Sequence, residues 1–236
     1  MTIDCTDGLS TIIGSCTKLW LLFPPTPANL QRMAEAESQK AKFQRIGRHL
    51  EGGVIVKMTS SDAIYLPVGC IHIVFTLHGG FLFGKDFTTS KSATPLSKLI
   101  VAGLDQFRNR QDQTVCFRLF FEAVQIALAH NQVEIGLKAW LDAWERTRYW
   151  ADDVSQMRSK ARKIWDEFFS KEPYPRKVVC PCGRMKSEEQ LSTHFRAEHF
   201  WSRSVENGTL SARNTRSATS GSNDSKTNKR KRILDG

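Results

Sequence analysis

The sequence has few of the features that mark membrane, secreted and repeat proteins. No run of about 18 apolar residues occurs among its 236 residues, so no membrane-spanning helix is predicted. The opening residues lack a basic segment followed by an apolar one, and we therefore expect no secretory signal. No internal repeat is found, which argues against a solenoid. The length suits one moderate domain with an appendage, or two small domains.

Charge and cysteine content narrow the function classes further. The formal net charge of +10 permits an acidic partner such as nucleic acid without requiring one. In a chain without a secretory signal, the six cysteines are expected to be reduced thiols or metal ligands rather than disulfides. Only Cys180 and Cys182 lie close together, and the others stand in apolar surroundings typical of small buried residues.

Strand signals dominate the first third of the chain. Residues 19–23 predict a buried strand that ends at Pro24, because proline cannot donate to a sheet ladder. Residues 54–56 predict a short strand. Residues 62–87 are rich in β-branched and aromatic residues, broken by glycine and proline, which predicts closely spaced strands joined by tight turns.

Helix signals follow in the middle of the chain. Thr26-Pro27 predicts the start of a helix that runs to about residue 50, and Thr94-Pro95 predicts the start of another. Residues 115–129 are apolar nearly all round, which predicts a buried helix. Residues 132–171 predict one or two more helices. The fold class is therefore α+β, with a helical bundle beside the strands.

Polar residues within the predicted strands are the first candidates for a site. His72 lies in an apolar strand, where a histidine is more simply a buried, hydrogen-bonded residue than a ligand. Lys18 precedes the first strand, either as a solvated charge or as a cation directed into a pocket. Tyr65 and Thr76 are either pocket-lining or ordinary strand residues.

Three segments taken together change this assessment, namely residues 18–25, residues 52–53 and residues 62–72. They resemble the C-terminal part of a JmjC domain, and the resemblance covers about residues 2–87. JmjC proteins are iron(II)- and 2-oxoglutarate-dependent oxygenases, many of them histone lysine demethylases. The resemblance implies a partial double-stranded β-helix, that is, a jelly-roll or cupin-like remnant.

The resemblance also implies a metal and cosubstrate site. Iron(II) in this class is held by two histidines and one carboxylate, the first histidine and the acid forming His-x-Asp on one strand. By resemblance, Asp4 and His72 are iron ligands, and Lys18 pairs with the distal carboxylate of 2-oxoglutarate. The departure lies at Thr2, which stands where the first histidine is expected. The family's upstream strands have no counterpart in this sequence.

Three interpretations remain open. The first is a JmjC-like, chromatin-associated nuclear protein that is impaired or inactive as an oxygenase. The second is an active 2-oxoglutarate-dependent dioxygenase, a histone lysine demethylase or hydroxylase. In this case the chain is a fragment of a longer protein, and a missing N-terminal part completes the site. The third is a non-enzymatic zinc-finger interaction module on a helical scaffold.

A second metal motif lies between residues 180 and 199. Two cysteines and two histidines suit tetrahedral zinc(II), and the expected ligands are Cys180, Cys182, His194 and His199. The segment resembles a C2H2 zinc finger, although its Cys-x-Cys spacing is shorter than usual. Ser187 and Gln190 predict a capping box at the start of the helix that carries the histidines.

Basic residues point to possible partners. Arg184, Lys186 and Arg196 of the finger are candidates for phosphate contacts, and contact with a protein is an equal alternative. Residues 229–232 form a basic cluster typical of a nuclear localisation signal or a nucleic-acid patch. Histones or other chromatin proteins are the partners implied by the JmjC resemblance, and no membrane partner is expected.

These signals divide the chain into four regions. Residues 202–236 contain too few large apolar residues to offset the entropy of ordering, so a disordered basic tail is expected. The predicted regions are a JmjC-like β region at 1–90 with a helical insertion at 27–50, a helical region at 91–172, the zinc finger at 176–201 and the tail at 202–236.

Overall fold

Two antiparallel sheets and seven α-helices make up the part of the chain that a computed structural model describes, namely residues 1–36, 39–103, 110–153, 155–171 and 178–200. The strands are β1 Thr2–Ile3, β2 Asp7–Ile13, β3 Thr17–Phe23, β4 Val54–Met58, β5 Ala63–Leu66, β6 Ile71–His78 and β7 Phe81–Phe87. The helices are α1 Pro27–Ala36, α2 Lys42–Ile46, α3 Ala93–Val101, α4 Arg110–Ala129, α5 Val133–Asp153, α6 Ser155–Phe169 and α7 Leu191–Glu198. The predicted α+β class is confirmed.

The strands alternate between the two sheets as the chain proceeds. One sheet has the order β1-β6-β3-β4 and the other has the order β5-β2-β7. The chain changes sheet at every connection except that between β3 and β4, and the last crossing lies between β6 and β7. Gly80 makes the last crossing possible, because its φ is 133° and a Cβ there would lie 2.3 Å from that of Cys16.

Side chains alternate along each strand of the larger sheet, so its two faces contribute to different hydrophobic cores. On one face, Trp20 and Met58 pack with Ile12 and Leu66 of the smaller sheet and form a core between the sheets. Residues of the opposite face, among them Phe23, belong to the hydrophobic core of the helices. Lys18 and His72 lie on the face that carries Trp20, and their side chains are largely removed from solvent.

Aromatic residues build the helical core. Buried residues of this core include Leu137, Trp140, Ile164, Trp165 and Phe168, and partly buried ones include Leu141 and Trp144. The Trp140 and Trp165 rings meet edge to face with centroids 5.3 Å apart. Each large apolar side chain buried in this way contributes roughly 1.5–3 kcal/mol, so the core suffices to hold the helices together.

The helix predicted from Pro27 to residue 50 is interrupted in the structure, where α1 is followed by α2 and by a 3-10 turn at Gly47–His49. Thr26 caps α1 as expected, since its hydroxyl accepts a 3.2 Å hydrogen bond from the Asn29 amide. The helix ends at Ala36, and a shorter helix begins after Ala41, whose φ of 56° breaks the helical path. The polar middle of this segment offers no apolar stripe to sustain a long helix.

Two predicted helix starts are also displaced. The helix predicted from Thr94 begins at Ala93, after a turn in which Thr89 and Ser92 form a capping box. The capping box predicted at Ser187 and Gln190 is wrong, because α7 begins at Leu191 with Gln190 as an N-cap that makes no side-chain capping bond. The tail predicted as disordered, residues 202–236, lies outside the described residues.

Several sheet edges carry exposed apolar side chains. Phe81 and Phe83 of the edge strand β7 are 78% and 57% exposed, and Ile55 of the edge strand β4 is 69% exposed. None of the helices in the described part of the chain is long and apolar enough to cross a membrane.

Candidate functional site

The first candidate site lies where β1 pairs with the start of β6. Thr2 stands directly opposite His72 in the antiparallel register, so the two side chains share one face of the sheet. The Thr2 hydroxyl lies 3.0 Å from His72 Nε2, and Asp4 Oδ2 lies 3.6 Å from the same nitrogen. The fold thus brings together the two predicted iron ligands and adds Thr2 to them.

The orientation of the His72 ring follows from its other nitrogen. Nδ1 lies 3.2 Å from the Cys70 carbonyl oxygen, which can only accept a hydrogen bond. In the neutral imidazole, Nδ1 therefore carries the proton and Nε2 presents its lone pair toward Thr2 and Asp4. The ring also packs 5.9 Å from that of Trp20. The His72 ring is therefore held between the Cys70 carbonyl, the Thr2 hydroxyl and the Trp20 ring.

The residues present do not complete the donor set for iron(II). A two-histidine, one-carboxylate site needs a second imidazole, and Thr2 offers a neutral hydroxyl at that point. Among the described residues, no third histidine, cysteine or acidic side chain joins Asp4 and His72 in a cluster. Burial and, after it, the charge of Asp4 raise the pKa of the Cys70 thiol.

Lys18 lies on the same face of the sheet, further along β3. Its register partner on β6 is Thr76, and the register partner of His72 on β3 is Leu22. The Lys18 side chain donates a 2.8 Å hydrogen bond to the Thr76 hydroxyl. Thr76 lies four positions after His72 on β6, which corresponds to about 13 Å along the strand.

The electrostatics of Lys18 suit an anion. Lys18 is only 8% exposed, so a solvated lysine at the strand end is excluded. Among the described residues its Nζ contacts a neutral hydroxyl and no carboxylate within ion-pair distance. A buried ammonium without a countercharge is costly, and an anionic ligand would remove that cost. The pairing of Lys18 with Thr76 was not predicted from the sequence, because register between distant strands is a tertiary property.

Asp7 is a buried acidic residue that sequence reasoning missed. Its Oδ1 accepts hydrogen bonds from the Tyr65 hydroxyl at 2.7 Å and from the Val68 amide at 3.2 Å. Its Oδ2 accepts hydrogen bonds from the hydroxyls of Ser92 and Thr89. Burial, together with the hydrogen bond and charge of Asp7, raises the pKa of Tyr65 to about 12. Asp7 therefore ties the smaller sheet to the start of the helical region.

A second candidate site lies in the segment before and within α7. The Cys2His2 cluster consists of Cys180, Cys182, His194 and His199, whose ligand atoms all lie within 4.8 Å of one another. The two cysteines lie within a tight turn that a 3.3 Å hydrogen bond from the Gly183 amide to the Cys180 carbonyl oxygen closes, and Gly183 has a φ of 70°. His194 lies within α7 and His199 directly follows it, so the helix presents both imidazoles to the turn.

The histidines of this cluster are buried. His194 is 2% exposed and His199 is 3% exposed. His194 Nε2 lies 3.1 Å from the Cys182 sulfur, and its Nδ1 lies 3.3 Å from Glu189 Oε2. His199 Nε2 is buried and has no hydrogen-bond partner among the described residues. A buried imidazole nitrogen without a partner is expected where a metal ion takes its lone pair.

The two thiols differ in acidity. Burial raises the pKa of Cys180 to about 11. Burial also raises the pKa of Cys182, but hydrogen bonds from the Arg184 amide and from its three cluster neighbours outweigh burial and lower the pKa to about 6. One thiolate is therefore available at neutral pH, which is the form that binds a metal ion.

Comparisons with known proteins concern one part of the chain. No family model matches the sequence. JmjC domain-containing histone demethylation protein 1 of Candida glabrata is 30% identical over 84 residues, which is 35% of this chain and 21% of the relative. The proteins of the same name from Kluyveromyces lactis and Saccharomyces cerevisiae are 32% and 33% identical over 81 and 86 residues.

The match covers only part of this chain and only part of each relative. The chain spans about a fifth of the length of the curated relatives it matches, namely 21%, 17% and 17%. Similarity at this level supports a JmjC-like region within the chain. The similarity does not extend to the whole of this chain or to the whole of any of the three relatives.

Proposed function

We propose that the chain is a JmjC-like, chromatin-associated nuclear protein that is impaired or inactive as an iron(II)- and 2-oxoglutarate-dependent oxygenase. The observation that carries the proposal is the 3.0 Å contact between the Thr2 hydroxyl and His72 Nε2. At the point where a second imidazole would complete the metal site, the chain has a neutral hydroxyl, which is a weak ligand for iron(II).

The remaining site residues have roles under this proposal. Asp4 and His72 are the residual iron ligands, with Oδ2 and Nε2 3.6 Å apart. Lys18, fixed by Thr76, binds the distal carboxylate of 2-oxoglutarate as a buried cation. The site therefore keeps its affinity for a dicarboxylate while its affinity for iron(II) is low.

The nuclear and chromatin assignments rest on weaker support. The names of the relatives refer to histone demethylation, which makes a histone or another chromatin protein the proposed partner. The basic cluster at 229–232 is a candidate nuclear localisation signal. It lies outside the described residues.

A second candidate function is an active histone lysine demethylase or hydroxylase in which a ligand from outside this chain completes the iron site. The retention of Asp4 beside His72 and of a buried Lys18 favours it, because a site without function has no need of a buried lysine. The two candidates differ in whether the chain by itself binds iron(II) together with 2-oxoglutarate.

The test is an anaerobic titration of the full chain with iron(II) in the presence of 2-oxoglutarate. We expect no visible charge-transfer band. A clear band that is lost in His72→Ala would overturn the proposal of an impaired site.

Calorimetry with 2-oxoglutarate alone tests the proposed binding of its distal carboxylate by Lys18. Binding should be lost in Lys18→Ala and kept in Lys57→Ala, an exposed lysine on the neighbouring strand β4. Equal affinity of the two variants, or no binding by the unmodified chain, would contradict a role for Lys18.

A further inference from the structure

We infer that the Cys2His2 cluster binds one zinc ion, and that this ion holds residues 178–200 against the helical core as a structural clasp. This role differs from that of a mobile nucleic-acid-binding finger. The inference is independent of the oxygenase site, because no residue is shared between the two.

The donor atoms are already close to the arrangement that zinc requires. In a tetrahedral site with bonds of about 2.0–2.3 Å, ligand atoms lie roughly 3.3–3.8 Å apart. The cluster atoms lie within 4.8 Å of one another, and the distance from Cys182 Sγ to His194 Nε2 is 3.1 Å. Two thiolates and two imidazoles suit zinc, whereas calcium and magnesium prefer oxygen ligands.

The surroundings of the cluster support a bound metal. His199 is a member of the cluster, and its Nε2 is buried without a hydrogen-bond partner among the described residues. The Arg184 amide lies 3.3 Å from the Cys182 sulfur and stabilises a thiolate there. Glu189 lies 3.3 Å from His194 Nδ1, the nitrogen that faces away from Cys182, and so orients the ring.

The helix that carries the histidines is part of the main core. Phe195 is fully buried, and its ring centroid lies 4.2 Å from that of Trp165 in α6. The Trp140 indole of α5 donates a 3.2 Å hydrogen bond to the His199 carbonyl oxygen. Cys180 and Leu191 belong to the same hydrophobic core as these tryptophans. The apolar face of α7 is therefore covered by α5 and α6.

The basic residues near the cluster are also engaged within the chain. Arg196 forms a 2.7 Å ion pair with Asp166 of α6 and lies 5.5 Å from the Phe169 ring. Arg184 lies 3.4 Å from Glu198. Two of the three basic residues predicted to contact phosphate are thus directed toward acidic side chains, which favours attachment to the helices over nucleic-acid binding.

The first measurement is the zinc content of the purified full chain. We expect about one ion per chain, lost in Cys182→Ser and kept in Cys116→Ala. Cys116 is a buried thiol of α4 in the same hydrophobic core, so this control separates loss of a ligand from loss of stability. Absence of zinc from the unmodified chain, or its retention in Cys182→Ser, would overturn the inference.

The second measurement uses the unmodified chain, so its result does not depend on whether a substituted chain folds. Removing zinc from the unmodified chain with a chelator should change tryptophan fluorescence and lower the Tm, because Trp140 and Trp165 contact α7. Cobalt(II) added afterwards should give the visible absorption of a tetrahedral thiolate site. An unchanged Tm after zinc removal would contradict the clasp.

Nucleic-acid binding tests the alternative role. Lys186 is exposed near the cluster, and its substitution should leave binding of a DNA duplex unchanged if the unit is a clasp. Zinc-dependent DNA binding that is weakened in Lys186→Ala would show a nucleic-acid role and overturn the clasp.

Discussion

Thr2 and His72 are register partners on adjacent antiparallel strands, and the Thr2 hydroxyl lies 3.0 Å from the Nε2 nitrogen of His72. One substitution therefore supplies the missing imidazole. We predict that Thr2→His binds iron(II) at least about tenfold more tightly than the unmodified chain, since a third strong ligand is added beside Asp4 and His72. Anaerobic iron titration measures the change.

The control for this variant is Thr2→Val, which keeps the shape of threonine but has no ligand atom. It should bind iron(II) no better than the unmodified chain. Equal affinity of Thr2→His and Thr2→Val would show that position 2 does not face the metal site.

Removal of the Lys18 charge should not destabilise the fold. The Lys18 ammonium is buried against the neutral hydroxyl of Thr76, so its desolvation cost is not offset by an ion pair. We predict that Lys18→Met leaves the free energy of unfolding unchanged or raises it by about 1 kcal/mol. Urea denaturation measures this, with the exposed Lys57→Met as control. A loss of more than about 2 kcal/mol would mean that Lys18 has a structural role.

Removal of the Asp7 carboxylate, unlike removal of the Lys18 charge, should destabilise the fold. In Asp7→Ala, several donors lose their acceptor. They include the Tyr65 hydroxyl, the Val68 amide and the Ser92 hydroxyl. We predict a decrease of about 3 kcal/mol in the free energy of unfolding, the usual cost of breaking a buried network around a charged group. The exposed Asp86→Ala on β7 should change stability by less than about 0.5 kcal/mol. Similar values for both variants would contradict the role of Asp7.

The Tyr65 hydroxyl gives this network a pH dependence. The pKa of Tyr65 is about 12 in the folded chain and 10.0 in the reference state, so the folded chain binds this proton more tightly. Its contribution to stability is present below pH 10 and is lost as the pH rises toward 12. Phenolate absorbance should give a Tyr65 pKa nearer 10 in Asp7→Asn, with Tyr65→Phe identifying the signal. If the pKa of Tyr65 in Asp7→Asn equals that in the unmodified chain, the hydrogen bond from Tyr65 to Asp7 is excluded.

Glu189 provides a test of the Cys2His2 cluster that leaves all four ligands in place. Its carboxylate orients His194, so Glu189→Gln should weaken zinc binding about tenfold. The adjacent Glu188 is exposed, and Glu188→Gln should have no effect. Competition with a chromogenic chelator measures both affinities. Equal affinities would show that Glu189 does not support the metal site.

Local sequence signals were reliable where a single residue type decides the structure. Thr26 caps α1 as predicted, and the strand predicted at residues 19–23 lies within β3. Helix length was predicted poorly between residues 27 and 50, because Ala41 adopts a left-handed conformation that no residue preference indicates. Asp4, His72 and Lys18 were named as site residues only through the JmjC resemblance, whereas the Cys2His2 cluster was predicted from residue type and spacing. Asp7 and the partner of Lys18 were not predicted, since both depend on contacts between distant segments.

The sequence by itself determined the α+β class and the grouping of two cysteines with two histidines, because both are matters of residue type and spacing. The departure at Thr2 is visible only by comparison with the JmjC pattern. Only the tertiary structure decided that the Thr2 hydroxyl contacts His72, that Lys18 is buried, and that Phe195 joins the main core. The physical reason is that strand register and helix packing arise from the burial of apolar surface over the whole chain, which no short motif contains.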